Sequence, residues 1–517
     1  MRKNKEVKIL EKNEKIKSLV SDVIIIVIIT VVAISTIFTK PISNLDEIWN
    51  FNFARNISDG LVPYRDFNII TTPLLSMICG LGMLIFGKQL LIMRIFAVCL
   101  MCLVFFITYK ILELLTQKNI ALLVLSCLLL LYKNFMCIDY NYGVLLLGLI
   151  LVYIELKNIN GNHFKYRFKY NFILGFIAGL AILFKQTTGL AICFACIGYK
   201  IFEIRKKEDI KNFFKIAVTR FVGAMIPIII FFIYLVINGA TTEFFNYAIL
   251  GVKTFSNKFE YSELFKDETI CVLAMLVPST IFIMFSMLFS KKVKEEICIL
   301  FSYSISSFIL AFPISDNIHF LIGSMVAIIA FTYIIFKYVV QAYSTNVNNK
   351  YKLYTYGVIT FISSAFLLLL FYNSIQIVES QYIKVEKENE LEHFIGIPKN
   401  EALNEKINIV DEYIMQQKEN GEKVYILDAE AAIYYIPLNI YNKDYDMFNK
   451  GNLGIKDEEG IIERIKTEEN AIYLLKKGNL NWQNPNMIRE YVENNFEKSG
   501  DISYFCIYEE GDANEQN

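Results

Sequence analysis

Long apolar stretches follow one another between residues 20 and 373, and short polar segments separate them. About 20 apolar residues in an α-helix cross a hydrocarbon core roughly 30 Å thick, and shorter helices cross it where protein surrounds them. The pattern therefore predicts a polytopic α-helical membrane protein with about 11 transmembrane helices. The predicted spans are residues 20–39, 89–110, 119–132, 141–156, 171–184, 187–202, 217–237, 269–289, 297–312, 318–336 and 353–373.

The apolar stretch 69–87 is nearly long enough to form a twelfth span. Counting it as one would invert every later loop and place the basic segments 163–169 and 205–215 outside the cytoplasm. Lys and Arg accumulate on cytoplasmic loops, which disfavours that arrangement. We therefore expect residues 69–87 to lie at the outer interface or to enter the membrane partway.

Residues 374–517 have a different pattern, in which helix-like and strand-like segments alternate. Such alternation over short segments is typical of a small α/β domain. The predicted helices lie at 401–418, at 458–467 and after Pro485, and the predicted strands lie at 424–427, 471–475 and 502–508.

The composition agrees with a membrane protein, since 55% of the 517 residues are apolar, 20% are charged, and the mean hydropathy is +0.42. These values argue against a soluble single-core enzyme. The formal net charge is zero, but residues 1–373 contain 36 basic and 22 acidic side chains, whereas residues 374–517 contain 15 and 29. The two parts are therefore expected to occupy different environments.

Basic residues also predict the orientation. Seven Lys and Arg side chains precede the first span, which lacks a small-residue cleavage site and is typical of a retained signal anchor. With the N-terminus in the cytoplasm, inward-facing segments contain 26 Lys and Arg and outward-facing segments contain 9, in agreement with the positive-inside rule. The predicted parts of this multi-pass cell-membrane protein are a cytoplasmic basic tail (1–19), a membrane core (20–373) with an outer loop (40–88), and an extracytoplasmic α/β domain (374–517).

The cysteines do not indicate a disulfide framework or a metal site. Nine of the ten lie in or beside apolar stretches, and the pairs Cys99/Cys102 and Cys193/Cys196 lie inside predicted helices, where cysteine behaves as a small hydrophobic residue. No nucleic-acid partner is expected either, because the basic residues form short tufts rather than a patch interleaved with aromatic residues.

Polar side chains gather at the ends of the predicted spans that face outward. A charged side chain at the bilayer centre costs about 2.5–3.5 kcal/mol, so charged residues in and beside spans are candidates for function. The candidates are Asp46-Glu47 with Trp49, Tyr64-Arg65, Asp139, Lys185-Gln186, and Asp316 with His319.

Each candidate also has a purely structural interpretation. Asn44-x-x-Glu47 fits a helix N-cap pattern, and acids in a first turn gain about 0.3–1 kcal/mol from the helix dipole. Asp46 and Glu47 would then only stabilise the start of a helix at 45–58, whose apolar face would lie on the membrane.

The other polar residues have similar alternatives. Lys185 is long enough to extend to the lipid headgroups, and His319 is placed to cap a helix. Arg65 is able to pair with the next residue in a turn, while Asp139 and Asp316 would simply end spans. Their joint occurrence on one side of the membrane favours a shared function.

One set of these residues resembles the first outer loop of the GT-C glycosyltransferases. The branch it resembles contains polyprenyl-phosphate-sugar enzymes similar to protein mannosyltransferases and the lipid A aminoarabinose transferase. Phe184-Lys185-Gln186-Thr187 and His319 after Asp316 resemble further elements of that branch, and the resemblance covers about residues 20–373. The loop residues that carry it are Asp46-Glu47, Gly60, Pro63-Tyr64-Arg65-Asp66-Phe67, Pro73-Leu74 and Gly87.

The resemblance implies an inverting transfer of one sugar from a polyprenyl phosphate to a hydroxyl or amine of a cell-envelope polymer, lipid or protein outside the cytoplasm. On this hypothesis Asp46 is the general base, and Glu47 orients it or the sugar. Asp139 is assigned to sugar or acceptor hydroxyls, with metal binding as its alternative.

The remaining roles follow from the same resemblance. The donor phosphate is expected to contact Lys185, His319 and Arg65, whose cations suit an anion at headgroup depth. Gln186 and Asp316 would hold the phosphate-contacting residues in position. Trp49 or Tyr64 would stack on the sugar or the isoprenoid.

No cofactor is expected, although some members of the family that the sequence resembles use a divalent metal. The cytoplasmic loops are too short to fold a nucleotide-sugar domain. The alternatives are a multispan transporter or lipid flippase and a non-catalytic scaffold of the same architecture. Gly451-Asn452-Leu453-Gly454 and Trp482-Gln483 resemble features of outer domains appended to some such bacterial proteins.

Overall fold

The computed structural model describes residues 2–42, 45–159, 168–204, 206–254, 260–290, 294–341, 349–383, 389–443, 445–446, 448–478 and 485–511. Asn44 of the predicted cap, and the Trp482-Gln483 pair, lie outside the described residues.

Eleven helices coincide with the eleven predicted spans. Eight are long and apolar enough to cross a membrane, and three (α7, α8 and α12) have 17, 13 and 14 residues. The polytopic helical architecture is confirmed, and the count of eleven crossings stays a prediction. The helices are α1 Arg2–Ile37, α4 Leu90–Leu115, α5 Lys118–Tyr132, α6 Tyr140–Ile159, α7 Phe168–Phe184, α8 Gln186–Gly198, α9 Lys207–Ile237, α11 Ile270–Leu288, α12 Glu295–Phe308, α13 Asn317–Ile334 and α14 Asn349–Val378.

Among the described residues, three further α-helices lie between these segments, namely α2 Leu45–Ser58, α3 Leu74–Phe86 and α10 Thr241–Phe244. Helix α3 occupies the apolar stretch 69–87 and has 13 residues, too few to cross a bilayer as a helix. It packs closely on α2, because a side chain at Gly80 would lie 2.9 Å from the Ala54 carbonyl oxygen. The other face of α3 exposes the side chains of Leu81 and Ile85, so α3 adds an exposed apolar surface beside α2.

Small residues bring α7 and α9 together in the bundle. A Cβ atom at Gly175 would collide with the carbonyl oxygen of Arg220, and one at Gly223 with that of Phe172. Arg220 of α9 also forms a buried ion pair with Glu155 of α6, in which Nη1 lies 2.5 Å from Oε1. Close backbone packing of this kind is common where membrane helices associate.

The C-terminal part forms a small α/β domain around a four-stranded sheet of order β1-β2-β4-β3. Strands β1 and β2 are parallel and the other pairs are antiparallel. The elements are α15 Glu401–Glu419, β1 Lys423–Ile426, α16 Ala432–Tyr435, α17 Asp457–Ile465, β2 Ala471–Lys476, α18 Asn486–Asn495, β3 Glu497–Ile502 and β4 Phe505–Glu509.

The two faces of this sheet belong to different cores. Ile472 and Leu474 pack with α15, α16 and the membrane core, whereas Tyr473 and Leu475 pack with α17 and α18. Two sequence predictions differ from the structure here. The single strand predicted at 502–508 is a hairpin of β3 and β4, and the last membrane helix ends at Val378 rather than at 373.

Close packing of α7 on α9 predicts a stability effect. Gly175→Ala should destabilise the protein by about 1–3 kcal/mol, because the new methyl group has no space against the α9 backbone. Thermal unfolding of the purified full-length protein measures the effect. The matched control is Gly357→Ala in α14, where a Cβ atom meets nothing within 4 Å. Equal unfolding temperatures for the two variants would contradict the packing argument.

Candidate active site

Asp46 lies in the first turn of α2, at the end of the bundle that carries the outer loop. Burial raises the pKa of Asp46 from 3.8 to about 6, and the carboxylates of Asp139 and Asp316 act in the same direction, while His319 and Lys185 oppose them. A carboxyl surrounded in this way is held partly protonated near neutral pH. Three other segments of the chain therefore place titratable groups close to Asp46.

Asp139 and Lys185 meet through one asparagine. Asp139 caps the start of α6, accepting hydrogen bonds from the Asn141 backbone N–H (2.6 Å) and side-chain amide (3.2 Å). The Lys185 ammonium donates to Asn141 Oδ1 at 2.8 Å and lies 5.3 Å from the centre of the Tyr140 ring. The junction of α7 and α8 is thereby joined to the start of α6.

Asp316 and His319 form a second unit at the start of α13. Asp316 caps the helix by accepting from the His319 backbone N–H at 2.8 Å. Its two carboxylate oxygens also lie 2.8 and 2.9 Å from His319 Nδ1. This contact fixes Nδ1 and orients the imidazole ring.

The structure thus brings together five of the ten predicted site residues. They come from the starts of three helices (α2, α6 and α13) and from the junction of α7 and α8, and they are Asp46, Asp139, Lys185, Asp316 and His319.

Glu47 has a different environment from its neighbour. Both oxygens of its buried carboxylate pair with Arg94 of α4, at 2.9 Å to Nε and 2.8 Å to Nη2. Arg94 also donates to the Lys40 carbonyl oxygen at 2.5 Å. Glu47 therefore fixes the start of α2 to the bundle, and in this way it positions Asp46.

The contacts of Arg65 join it to Asp66 and not to the five clustered residues. Its guanidinium donates to both oxygens of Asp66, at 2.8 and 2.7 Å, and its side chain is 47% exposed. This is the pairing with the next residue in a turn, which was the structural alternative to the predicted phosphate contact of Arg65.

Tyr64 and Trp49 are also held inside the protein. Tyr64 is fully buried with a φ of 70°, its hydroxyl donates to the Thr71 carbonyl oxygen (2.7 Å), and its ring packs on Phe244. The Trp49 indole is 5% exposed and donates to the Ala429 carbonyl oxygen at 2.9 Å. The prediction that either ring stacks on the sugar or the isoprenoid is therefore corrected, because neither presents a free face.

Gln186, next to Lys185 in the sequence, is held by hydrogen bonds to backbone groups of two other segments. Its amide donates to the carbonyl oxygens of Ile70 and Ala248, both at 2.9 Å, and its carbonyl accepts from the Thr72 backbone N–H at 3.3 Å. The residue next to Lys185 is thereby fixed to the outer loop and to the segment after α10.

A cavity of about 600 Å³ opens beside the cluster. Glu47 and Arg94 form part of its wall, and Asp316 and Lys40 contribute further charged groups. Its volume is in the range that small-molecule sites occupy. Sequence reasoning missed Lys40 and Asn141 as site residues, although Lys40 is the first outward cation after α1 and Asp139-x-Asn141 is a capping spacing.

Within the described residues, no three His, Cys, Asp or Glu side chains are grouped as a metal site. Asp139 directs both oxygens to Asn141 and Asp316 directs both to His319, so these two carboxylates are engaged by protein groups.

The C-terminal domain holds α2 along its length. Besides the Trp49 contact, Asn52 donates to Asp446 Oδ2 (3.0 Å), and the buried Arg55 donates to the carbonyl oxygens of Ile436 (2.9 Å) and Ile440 (3.2 Å). A second junction lies near α10, where the Ile455 backbone N–H donates to Asn246 Oδ1 at 2.8 Å. The domain therefore lies at the same end of the bundle as Asp46.

The Glu47–Arg94 pair predicts a non-additive stability effect. Arg94→Met should destabilise the full-length protein by about 3–5 kcal/mol, because it leaves the Glu47 carboxylate buried without its partner. The double variant Glu47→Met with Arg94→Met should lose less, since neither charge then remains. Thermal unfolding of the three proteins tests the pair, and a double variant less stable than the single one would refute this account.

Comparisons with known proteins agree with this architecture. Residues 71–234 match the family model described as dolichyl-phosphate-mannose-protein mannosyltransferase. No curated protein matches the sequence. Two crystal structures of ArnT from Cupriavidus metallidurans are similar, both at 11% identity. The complex with undecaprenyl phosphate has a TM-score of 0.55 and covers 94% of this chain and 97% of ArnT, and the apo form has 0.56, with 96% and 98%.

An oligosaccharyltransferase from Archaeoglobus fulgidus in the apo form is also similar, with a TM-score of 0.51 at 10% identity over 88% of this chain and 69% of that one. ArnT and the oligosaccharyltransferase are both GT-C glycosyltransferases. The chain therefore has the GT-C glycosyltransferase fold, as its sequence predicted.

Proposed function

We propose that this protein is a membrane glycosyltransferase that moves a sugar from a polyprenyl-phosphate donor to an acceptor outside the cytoplasm, with inversion. The convergence of Asp46 with Lys185 and His319 carries the proposal, together with the adjoining cavity that Glu47 and Asp316 line. The matched family model and the structure of ArnT with undecaprenyl phosphate support a lipid-phosphate donor.

The donor phosphate would lie among the cations of the cluster. Lys185 supplies an ammonium group whose position is fixed by Asn141, and His319 supplies an imidazole oriented by Asp316. Lys40, on the wall of the cavity, adds a third cation. Positioned cations stabilise the charge that develops on a departing phosphate.

An apolar groove of about 390 Å³ suits the isoprenoid chain. It lies between α11 and α12, lined by Phe282, Phe285 and Ile305 among others, and it includes Phe312. Phe312 is four residues before Asp316, so the groove ends close to the polar cluster. A lipid tail in this groove would leave its phosphate at the depth of Lys185 and His319.

The reaction follows from these positions. Asp46 takes the proton of the acceptor hydroxyl or amine, and the acceptor atom attacks the anomeric carbon from the face opposite the phosphate. The bond from the anomeric carbon to the phosphate oxygen breaks, and its electron pair leaves with that oxygen. Inversion results because the new bond forms on the opposite face.

Orientation in the membrane follows the charge pattern. We place the basic N-terminal segment in the cytoplasm and the cluster with the C-terminal domain outside it. The polar residues argue for a transferase rather than a transporter, because Asp46, Asp139, Lys185 and Asp316 lie at helix ends. Transporters place such groups near the midplane, in broken helices.

The role of Asp46 predicts a selective loss of transfer. Asp46→Asn should lower the transfer rate about 10²–10⁴-fold, the usual contribution of a general base, while binding of the donor persists. Release of polyprenyl phosphate from labelled donors, with envelope extract as acceptor, measures the rate. The control is Glu268→Gln, an exposed carboxylate outside the cluster. Substantial transfer by Asp46→Asn would move the base to Glu47 or Asp139.

The same assignment predicts the pH dependence. Because the pKa of Asp46 is raised to about 6, its base form is lost as the pH falls through that value. Transfer by the wild type should therefore fall about tenfold for each pH unit below 6. A rate that stays constant down to pH 4.5, where an ordinary aspartate is still ionised, would contradict the raised pKa.

The proposed role of Lys185 predicts weaker donor capture. Lys185→Ala should raise the KM for the donor at least about tenfold, because a charge-assisted contact to phosphate is lost. Lys253→Ala, which removes an exposed lysine of the segment after α10, is the control. An unchanged dependence on donor concentration would remove Lys185 from the phosphate site.

A further inference from the structure

A groove separate from the catalytic cavity crosses the C-terminal domain and reaches its contact with the membrane core. It consists of two cavities of about 610 and 700 Å³. Arg464 and Thr467 line both cavities, so the two spaces meet at these side chains. The first lies within the C-terminal domain, between α15, β1 and residues 439–443, and the second lies between α10 of the membrane core and α17 of the domain.

The first cavity has an aromatic and amide lining. Tyr441 is 42% exposed, and its position is fixed, because its hydroxyl donates to Asp59 and the Arg55 guanidinium lies 5.0 Å from its ring centre. Asn439 is held by His393 Nε2 at 2.8 Å. Fixed aromatic rings pack on the C–H faces of sugars, and amides donate to and accept from hydroxyl groups.

The charges of the groove are balanced. Five basic and four acidic side chains line the two cavities. Lys423 pairs with Glu468 at 2.7 Å, and Lys456 pairs with Glu463 at 2.8 Å. A polyanion would need an excess of cations, and a lipid chain would need an apolar lining. The lining therefore suits a neutral, hydroxyl-rich chain.

Helix α2 connects this groove to the proposed base. Asp46 begins the helix, and Asp59, directly after its end, binds Tyr441 in the groove. With a rise of 1.5 Å per residue, the two ends are about 20 Å apart. The outer-loop segment that contains Arg65 and Asp66 also borders the groove, because the Asn68 backbone N–H donates to the Lys443 carbonyl oxygen at 3.3 Å.

We propose that this groove binds a neutral glycan chain of the acceptor, several sugars away from the hydroxyl that receives the new sugar. The acceptor class is then a neutral polysaccharide or another polymer with such a chain. This inference rests on the proposed transferase function, which it extends by naming the substrate class.

A bulky side chain at the point where the two cavities meet would block the groove. Thr467→Trp, at an exposed position on the groove wall, should raise the KM for polymer acceptor about tenfold. Release of polyprenyl phosphate to water, measured without acceptor, should stay unchanged. The full-length protein in lipid nanodiscs receives labelled donor and the neutral polysaccharide fraction of an envelope extract. Ser499→Trp, on the exposed strand β3 at the sheet edge, is the matched control.

A binding measurement separates this inference from the function on which it rests. Immobilised wild-type protein should retain the neutral polysaccharide fraction without any donor, and Thr467→Trp should not. Wild-type transfer and retention by Thr467→Trp would overturn the groove assignment while leaving the transferase intact. Label found only in anionic polymers, or in lipids and proteins without glycans, would also overturn it. A wild type that retains polysaccharide but never releases polyprenyl phosphate would refute the transferase function alone.

Discussion

The position of helix α2 is the constraint on which the proposed chemistry depends. This helix lies outside the long membrane helices, so its place has to be set by specific contacts. The buried pair of Glu47 and Arg94 fixes the start of the helix to α4. Hydrogen bonds from Trp49 and Arg55 attach the rest of the helix to the C-terminal domain. Because Asp46 directly precedes the anchored Glu47, its position relative to Lys185 is set by protein contacts before any substrate binds.

Much of this arrangement follows from hydrophobic patterning, and the rest depends on partners distant in sequence. Apolar length located the eleven helices, and the outward position of Asp139, Lys185 and His319 predicted their convergence. No local pattern shows that Arg94, inside a span, pairs with Glu47. Burial of Trp49 depends on a carbonyl oxygen 380 residues away. Strand β3 was missed because Glu497–Ile502 is a polar edge strand without apolar alternation.

Two buried polar clusters illustrate why charge alone does not identify a site. In the bundle, Arg220 pairs with Glu155 while donating to Asn171 and to the Cys196 carbonyl oxygen, so its charge is matched by protein groups. Such a pair fixes helix register. The outer cluster instead has three carboxylates facing one lysine and one histidine, beside an open cavity. An unequal set of charges next to a cavity is suited to proton transfer and ligand binding.

The excess of carboxylates gives the outer cluster a property that a balanced pair lacks. Burial, followed by the nearby carboxylates, raises the pKa of Asp46 to about 6, close to the pH at which a general base works best. An arriving donor phosphate adds another negative charge and would raise this pKa further. In the proposed mechanism Lys185 and His319 would offset part of that effect, because they would bind the same phosphate. Donor binding would then be coupled to the strength of the base, and the base would be strongest when a sugar is present to receive the acceptor.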